Sequence, residues 1–169
     1  MPLSDQGLAS SSGRYLLVPR VLCFVFAGDE VLLLRGAPDK KIWAGRYNGL
    51  GGHVERGEGA WSAAAREIRE EAGLQPRDLR LRGVITIDAG ESAGIGLYVF
   101  SAETAGQPVR PSAEGALEWW PAAALPENIV EDLAVLIPRL RSAQPADPPF
   151  SAHYQYDAGS RLVIDFDSD

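Results

Sequence analysis

The stretch Gly51–Leu74 reads GGHVERGEGAWSAAAREIREEAGL, and its spacing sets the plan of the chain. From about Ala60 to Ala72 the apolar residues Trp61, Ala64, Ala65, Ile68 and Ala72 recur at i, i+3, i+4, i+7 and i+11. That spacing predicts an amphipathic helix with these five side chains on its buried face. At roughly 100° per residue, Glu67, Glu70 and Glu71 fall together on the flank of that stripe, Glu71 nearest to it. Gly73 stands where a helix end takes a left-handed residue. The helix is therefore expected to be anchored by one side and to present three carboxylates on another.

Like charges at i,i+3 and i,i+4 cost a free helix roughly 0.2–0.5 kcal/mol per pair. Glu55 and Glu58, just upstream, add to the same negative end. A solvated acidic face is the plain reading of a Glu-rich helix. Two features favour a site for a hard divalent cation, which takes oxygen ligands beside phosphates. One is the glycine-rich lead-in Tyr47–Val54, YNGLGGHV. The other is the fully occupied pattern G-x5-E-x7-R-E-U-x-E-E-x-G-U, with U a bulky aliphatic, running from Gly52 through Glu58 and Arg66-Glu67 to Leu74.

That pattern resembles the signature of the Nudix hydrolases, which cleave nucleoside diphosphates linked to another group. The resemblance implies an α/β fold, an α/β/α sandwich around a mixed β-sheet. It implies that Glu67, Glu70 and Glu71 hold Mg2+, with Mn2+ as a substitute and the Gly51 carbonyl as a backbone ligand. Glu67 or the loop residue Glu114 would then orient or deprotonate the attacking water. For Glu114 the alternative is an ordinary exposed loop charge.

The likeness extends further. Ala44-Gly45-Arg46-Tyr47-Asn48-Gly49-Leu50-Gly51-Gly52 resembles the segment ahead of the signature in enzymes that hydrolyse oxidised purine nucleoside triphosphates such as 8-oxo-dGTP, with Tyr47 where Trp is commoner. Ile129-Val130-Glu131-Asp132, followed by Pro138, resembles their W-P-D-D helix start, and Phe150–Phe166 their closing hairpin. His53 stands where those enzymes usually carry Lys, Ile129-Val130 replaces Trp-Pro, and Gln144–Pro149 looks like an insertion. The resemblance implies hydrolysis of a nucleoside triphosphate to the monophosphate and pyrophosphate, with a preference for oxidised purine nucleotides such as 8-oxo-dGTP. The alternatives are a broad di- and triphosphate hydrolase, reaching ADP-ribose or dinucleoside polyphosphates, and a catalytically idle nucleotide-binding domain.

Asn48 and Asp132 are the candidate base readers, since Asn offers a donor and an acceptor and Asp an acceptor. Asn48 has an alternative role as a turn residue beside Gly49. Glu131 is a further substrate-side candidate, but Asn128-x-x-Glu131 also reads as a capping pair. His53, standing where the oxidised-purine enzymes usually carry Lys, is another substrate-side candidate, for contacts to the phosphates. Arg66 either binds phosphate or pairs with Glu58 or Glu67 to fix loop to helix. Glu58 is placed to cap the helix and complement its dipole, and Gly52 of the signature is a structural residue at the site.

The rest of the chain sets bounds. With 169 residues, 46% hydrophobic, it fits one domain over residues 14–169. Its net charge of −7 argues against nucleic acid as a bulk partner, whereas a small nucleotide accompanied by a cation is compatible with it. The single cysteine, Cys23, lies in an apolar run and points to a reducing cytoplasm. No basic segment followed by an apolar core marks the N-terminus, and no apolar run approaches the ~20 residues of a membrane span. Residues 1–13 read as a disordered extension.

Arg14–Phe26 and Glu30–Leu34 read as strands around an Ala-Gly-Asp turn, with Pro19 marking an edge or bend. Arg35–Arg46 reads as a loop with an exposed Trp43. Leu81–Ile87, Ile95–Ser101 and Ala116–Trp120 read as strands, and Ile129–Arg141 as a helix that Pro138 kinks or ends early. Phe150–Tyr156 and Arg161–Phe166 form a hairpin around Asp157–Ser160, so that residues 150–167 close the domain. The chain is expected to act as a monomer or homodimer.

Overall fold

The computed structural model describes residues 14–39, 42–90, 92–109 and 114–167. The expected disordered extension at 1–13 lies outside the described residues. The described elements run β1 (Leu16–Ala27), β2 (Glu30–Gly36), β3 (Tyr47–Asn48), α1 (Ala60–Ala72), β4 (Arg77–Ile87), β5 (Ala93–Glu103), β6 (Gly115–Pro121), α2 (Leu133–Ser142), β7 (Phe150–Tyr156) and β8 (Leu162–Phe166). The sheet follows the order β3-β2-β1-β5-β4-β7-β8, with β6 also pairing β2. It is mixed: β1 runs parallel to β5, β4 runs parallel to β7, and the remaining pairs are antiparallel.

Alternation along β1 explains the layers. Val21, Cys23 and Val25 share a buried cluster with Ala63, Ala64, Ile68 and Ala72 of α1. Leu22, Phe24 and Phe26 share another with Leu133, Leu136, Ile137 and Leu140 of α2. Successive strand residues face opposite sides, so a continuous apolar run is what a strand covered on both faces requires. The helices lie on opposite faces of the sheet, giving the α/β sandwich.

Pro19 does fall at a local edge of β1, since the β2 pairing covers only Val25–Ala27 and Pro19 has a strand partner, β5, on one side alone. Its carbonyl accepts Val54 N–H at 3.1 Å, so the proline nitrogen points to the Gly-rich loop and its missing N–H removes no β1–β5 bond. Other expectations need correction. Trp61 does not join the buried stripe: it is exposed, and its indole donates to the Leu79 carbonyl at 3.4 Å. Ala65 is only partly buried, and Ala63 and Glu71 join Ala64, Ile68 and Ala72 in the buried set.

The second helix starts at Leu133, not Ile129, because Tyr47–Asn48 holds the preceding residues in strand-like pairing. It also continues past Pro138 to Ser142. Asn128 does not cap it, since its side chain donates to the Gly45 carbonyl at 2.7 Å. The terminal hairpin is part of the sheet, with β7 in register against Gly83–Ile87 of β4. No described helix is long and apolar enough to cross a membrane.

Candidate active site

The Gly-rich loop is laid between β1 and α1. Cys23 and Leu50 exchange backbone hydrogen bonds of 2.7 and 3.1 Å, and Val21 N–H donates to the Gly52 carbonyl at 2.9 Å. Gly51 has φ 151°, and a Cβ there would collide with the Val21 carbonyl. A Cβ on Gly52 would collide with the Glu67 carboxylate. Glycine is required at Gly51, where φ is positive and strand backbone stands in the way, whereas at Gly52 the close neighbour is the end of the Glu67 side chain. The Gly51 N–H donates to Glu71 Oε2 at 2.9 Å, which ties the loop to α1.

Arg66 makes the second tie. Its guanidinium donates to Glu58 at 2.7 Å, Glu67 at 2.8 Å, Glu70 at 3.1 Å and the His53 carbonyl at 3.0 Å. The Arg66 hydrogen bond, followed by one from the Glu55 amide, holds the Glu58 carboxyl below its usual range. Glu58 does not cap α1, whose N-cap is Gly59 with no side-chain cap bond. On the other side of the loop, burial pushes the Cys23 thiol up, and the Glu71 and Glu67 charges add to the rise. A thiol so held is a packing residue.

A cleft of about 810 Å³ opens above this framework. One side carries Gly51 and Gly52 against Glu67 and Glu71 of α1, with Glu70, Glu114 and the exposed His53 also in the lining. The other side is walled by apolar side chains including Leu22, Ile87, Ile95 and Leu97, and carries Asn48 and Asp132. Backbone pairing unites these two residues: Tyr47 N–H donates to the Asn128 carbonyl at 3.0 Å, and Val130 N–H to the Tyr47 carbonyl at 2.9 Å. Segments more than eighty residues apart are thereby zipped side by side, with Asn48 and Asp132 lining the same cleft.

Asp132 is 8% exposed, and its Oδ1 has no hydrogen-bond partner. Burial raises its carboxyl from 3.8 to about 6. Asn48 uses its carbonyl oxygen to accept the Gly49 N–H at 2.8 Å, as a turn residue does, leaving its two N–H donors for a ligand. Glu131 lies outside the cleft lining, exposed and ion-paired to Arg46 at 3.2 Å.

Three cleft residues were not anticipated. Trp43, expected to be exposed, is half-buried and carries Arg46 over its ring at 5.1 Å, and the exposed Tyr156 also lines the cleft. Arg20, on β1, also lines the cleft. Its only trace in the sequence is a charge interrupting the apolar run LLVPRVLCFVF.

Among the described residues no three His, Cys, Asp or Glu side chains stand gathered as a metal site. The reason lies in their partners: Glu67 and Glu70 turn to Arg66, and Glu71 to the Gly51 amide. The donor chemistry still fits a hard divalent cation, since three carboxylates within about one turn of α1 line a single cleft with Gly51.

This chain belongs to the Nudix family: residues 16–140 match the NUDIX domain. It is 32% identical over 118 residues to the oxidized purine nucleoside triphosphate hydrolase of Mus musculus, covering 69% of this chain and 71% of that protein. It is 31% identical over 110 residues to the NAD-capped RNA hydrolase NudC of Pseudomonas fluorescens, covering 64% of this chain but only 38% of the longer relative. The crystal structure of the MutT protein from Bacillus halodurans shares the fold, with a TM-score of 0.74 at 22% identity over 90% of this chain and 99% of that one. The chain is thus a Nudix hydrolase, in a family that works with divalent metal ions.

Proposed function

We propose that this chain is a Mg2+-dependent nucleoside triphosphate diphosphatase that prefers purine nucleotides oxidised at C8, such as 8-oxo-dGTP. The observation that carries the reading is the buried Asp132 carboxyl, unpartnered at Oδ1 and lining the same cleft as the acidic face of α1. The likeness to the mouse oxidized purine nucleoside triphosphate hydrolase supports it.

Glu67, Glu70 and Glu71, with the Gly51 carbonyl, would hold Mg2+. When bound, the ion neutralises phosphate oxygens and acidifies a coordinated water. The chain's own residues supply the rest. Gly51 and Gly52 let the backbone pass closely, and Arg66 with Glu58 locks the loop onto α1. Glu67 or Glu114 takes a proton from the attacking water. The water oxygen forms a new P–O bond, the α–β bridging P–O bond breaks, and a nucleoside monophosphate and pyrophosphate leave. His53, exposed in the cleft lining, would meet the phosphates.

At the other end, oxidation at C8 converts purine N7 from an acceptor into a donor. Asp132 accepts from that N–H while the Asn48 N–H donors meet a purine carbonyl. Normal guanine places a lone pair against the carboxylate instead. A hydrogen-bonding site rejects a wrongly paired analogue by several powers of ten, whereas apolar shape alone gives about 10–200-fold. A broad di- and triphosphate hydrolase is the second reading, favoured by the non-aromatic Ile129 beside the Asn48–Asp132 pair.

The test is product analysis on a nucleotide panel with and without Mg2+. Monophosphate plus pyrophosphate, only with the metal, is the expected outcome. Orthophosphate release would overturn the reaction assigned, and binding without turnover of any nucleotide would establish the idle domain.

A further inference from the structure

Arg20 is not explained by packing or by pairing. It breaks an apolar strand, it lines the cleft, and its Nε is buried with no hydrogen-bond partner. A guanidinium nitrogen removed from water without an acceptor costs free energy, which an acceptor arriving with a ligand offsets. The neighbouring arginines are already engaged. Arg46 donates to the Ile129 carbonyl and Glu131 and lies over Trp43. Arg66 is shared among Glu58, Glu67, Glu70 and the His53 carbonyl.

The register fixes where Arg20 acts. On one side it is bridged to His53, next to the Gly51–Gly52 loop at the carboxylate end. On the other it lies beside Leu97 of β5, a wall of the purine end. Along β1 it is two residues before Leu22, on the same strand face as that wall residue. It therefore stands between the base end and the reacting end. In a nucleotide spanning the cleft, that intermediate place belongs to the phosphate attached to the sugar. This phosphate must enter a cleft whose reacting end is lined by several glutamates. A local cation reduces that repulsion, and the planar guanidinium fork matches phosphate oxygens bidentately.

We propose that Arg20 is a substrate-binding residue that grips the sugar-linked phosphate of the nucleotide. The proposal rests on the orientation given under the proposed function, with the base toward Asp132 and the phosphates toward α1. It gives the cleft a phosphate contact supplied by the protein itself, carried by β1 and separate from the signature helix.

The test is calorimetric binding in Mg2+ of ligands that are not turned over: deoxyguanosine, dGMP and their 8-oxo forms. The proteins are wild type, Arg20→Met, which keeps the apolar stem, and Arg20→Lys. Arg20→Met is expected to weaken both monophosphates about 10- to 100-fold and the nucleosides less than about twofold, with Arg20→Lys recovering part of the loss. Equal weakening of nucleoside and monophosphate, or no weakening of either, overturns the proposal. If Arg20→Met fails to fold, Arg20→Lys decides by the same phosphate-dependent comparison. Failure of the base assignment reads out separately, as equal wild-type affinity for normal and 8-oxo ligands whatever residue 20 does.

Discussion

Replacing Asp132 with Asn tests whether the proposed base-reading residue is held at a cost to stability. The carboxyl is nearly buried, lacks a partner on Oδ1 and makes no side-chain cap bond to α2. Its proton affinity rises on folding, from 3.8 to about 6, chiefly through burial. The folded state therefore binds the proton more tightly than the unfolded state, and stability falls as pH rises through that window. The stabilising contribution is intact below the unfolded value and fully lost above the folded one. At about 1.4 kcal/mol per tenfold change in proton affinity, the penalty at neutral and higher pH is about 3 kcal/mol. Asn matches the protonated acid in shape and carries no charge. Urea denaturation of both proteins at about pH 4 and about pH 8 should show Asp132→Asn gaining about 2–3 kcal/mol on wild type between the two conditions. All other titrations cancel in that double difference. A difference below about 0.5 kcal/mol would show that the Asp132 charge is solvated or paired in the folded protein, and the argument from its burial would fail.

Further outcomes follow from the same framework. Glu70→Gln and Glu71→Gln should each lower kcat by about 100-fold or more, because an amide is a poorer ligand for a hard cation than a carboxylate; steady-state hydrolysis at saturating Mg2+ measures it, and wild-type turnover would exclude the residue as a ligand. Arg66→Ala removes bonds to three carboxylates and one carbonyl, and should cost about 2–4 kcal/mol in urea denaturation. A loss under about 0.5 kcal/mol would show the clasp to be dispensable. Deleting residues 150–169 would strip β7 from Gly83–Ile87 of β4 and remove the buried Tyr154, so the truncated chain should melt far lower or fail to fold; an unchanged Tm would make the hairpin an appendage.

The helix and its carboxylates were legible because their signals are local. The bounds of α1 and its Gly73 cap follow from spacing and from one glycine with φ 68°. The hairpin was legible for the same reason, from two apolar runs around Asp157–Ser160. What escaped was set by register between distant segments. Nothing in the chain specifies that β1 pairs parallel with β5, yet this pairing sets Arg20 beside Leu97 and at the cleft. The helical period assigned Trp61 to the core, but in the first turn its indole reaches β4 and stays exposed. The same period started the second helix early, because the pairing of residues 128–130 with Tyr47 outweighs their helical pattern. That strand-like pairing brings Asp132 to the cleft that Asn48 lines, so this part of the cleft depended on the portion of the fold least visible in the sequence.

One cleft is proposed to join a phosphate-cleaving acidic face to an oxidised-purine reader. The most direct measurement of this is the ratio of kcat/KM for 8-oxo-dGTP to that for dGTP, in wild type and in Asn48→Ala and Asp132→Ala. The predicted wild-type ratio is about 100 or more, collapsing toward unity in both variants while hydrolysis itself persists. A wild-type ratio near unity would contradict the oxidised-purine assignment, and a high ratio that both substitutions left intact would place base recognition elsewhere in the cleft.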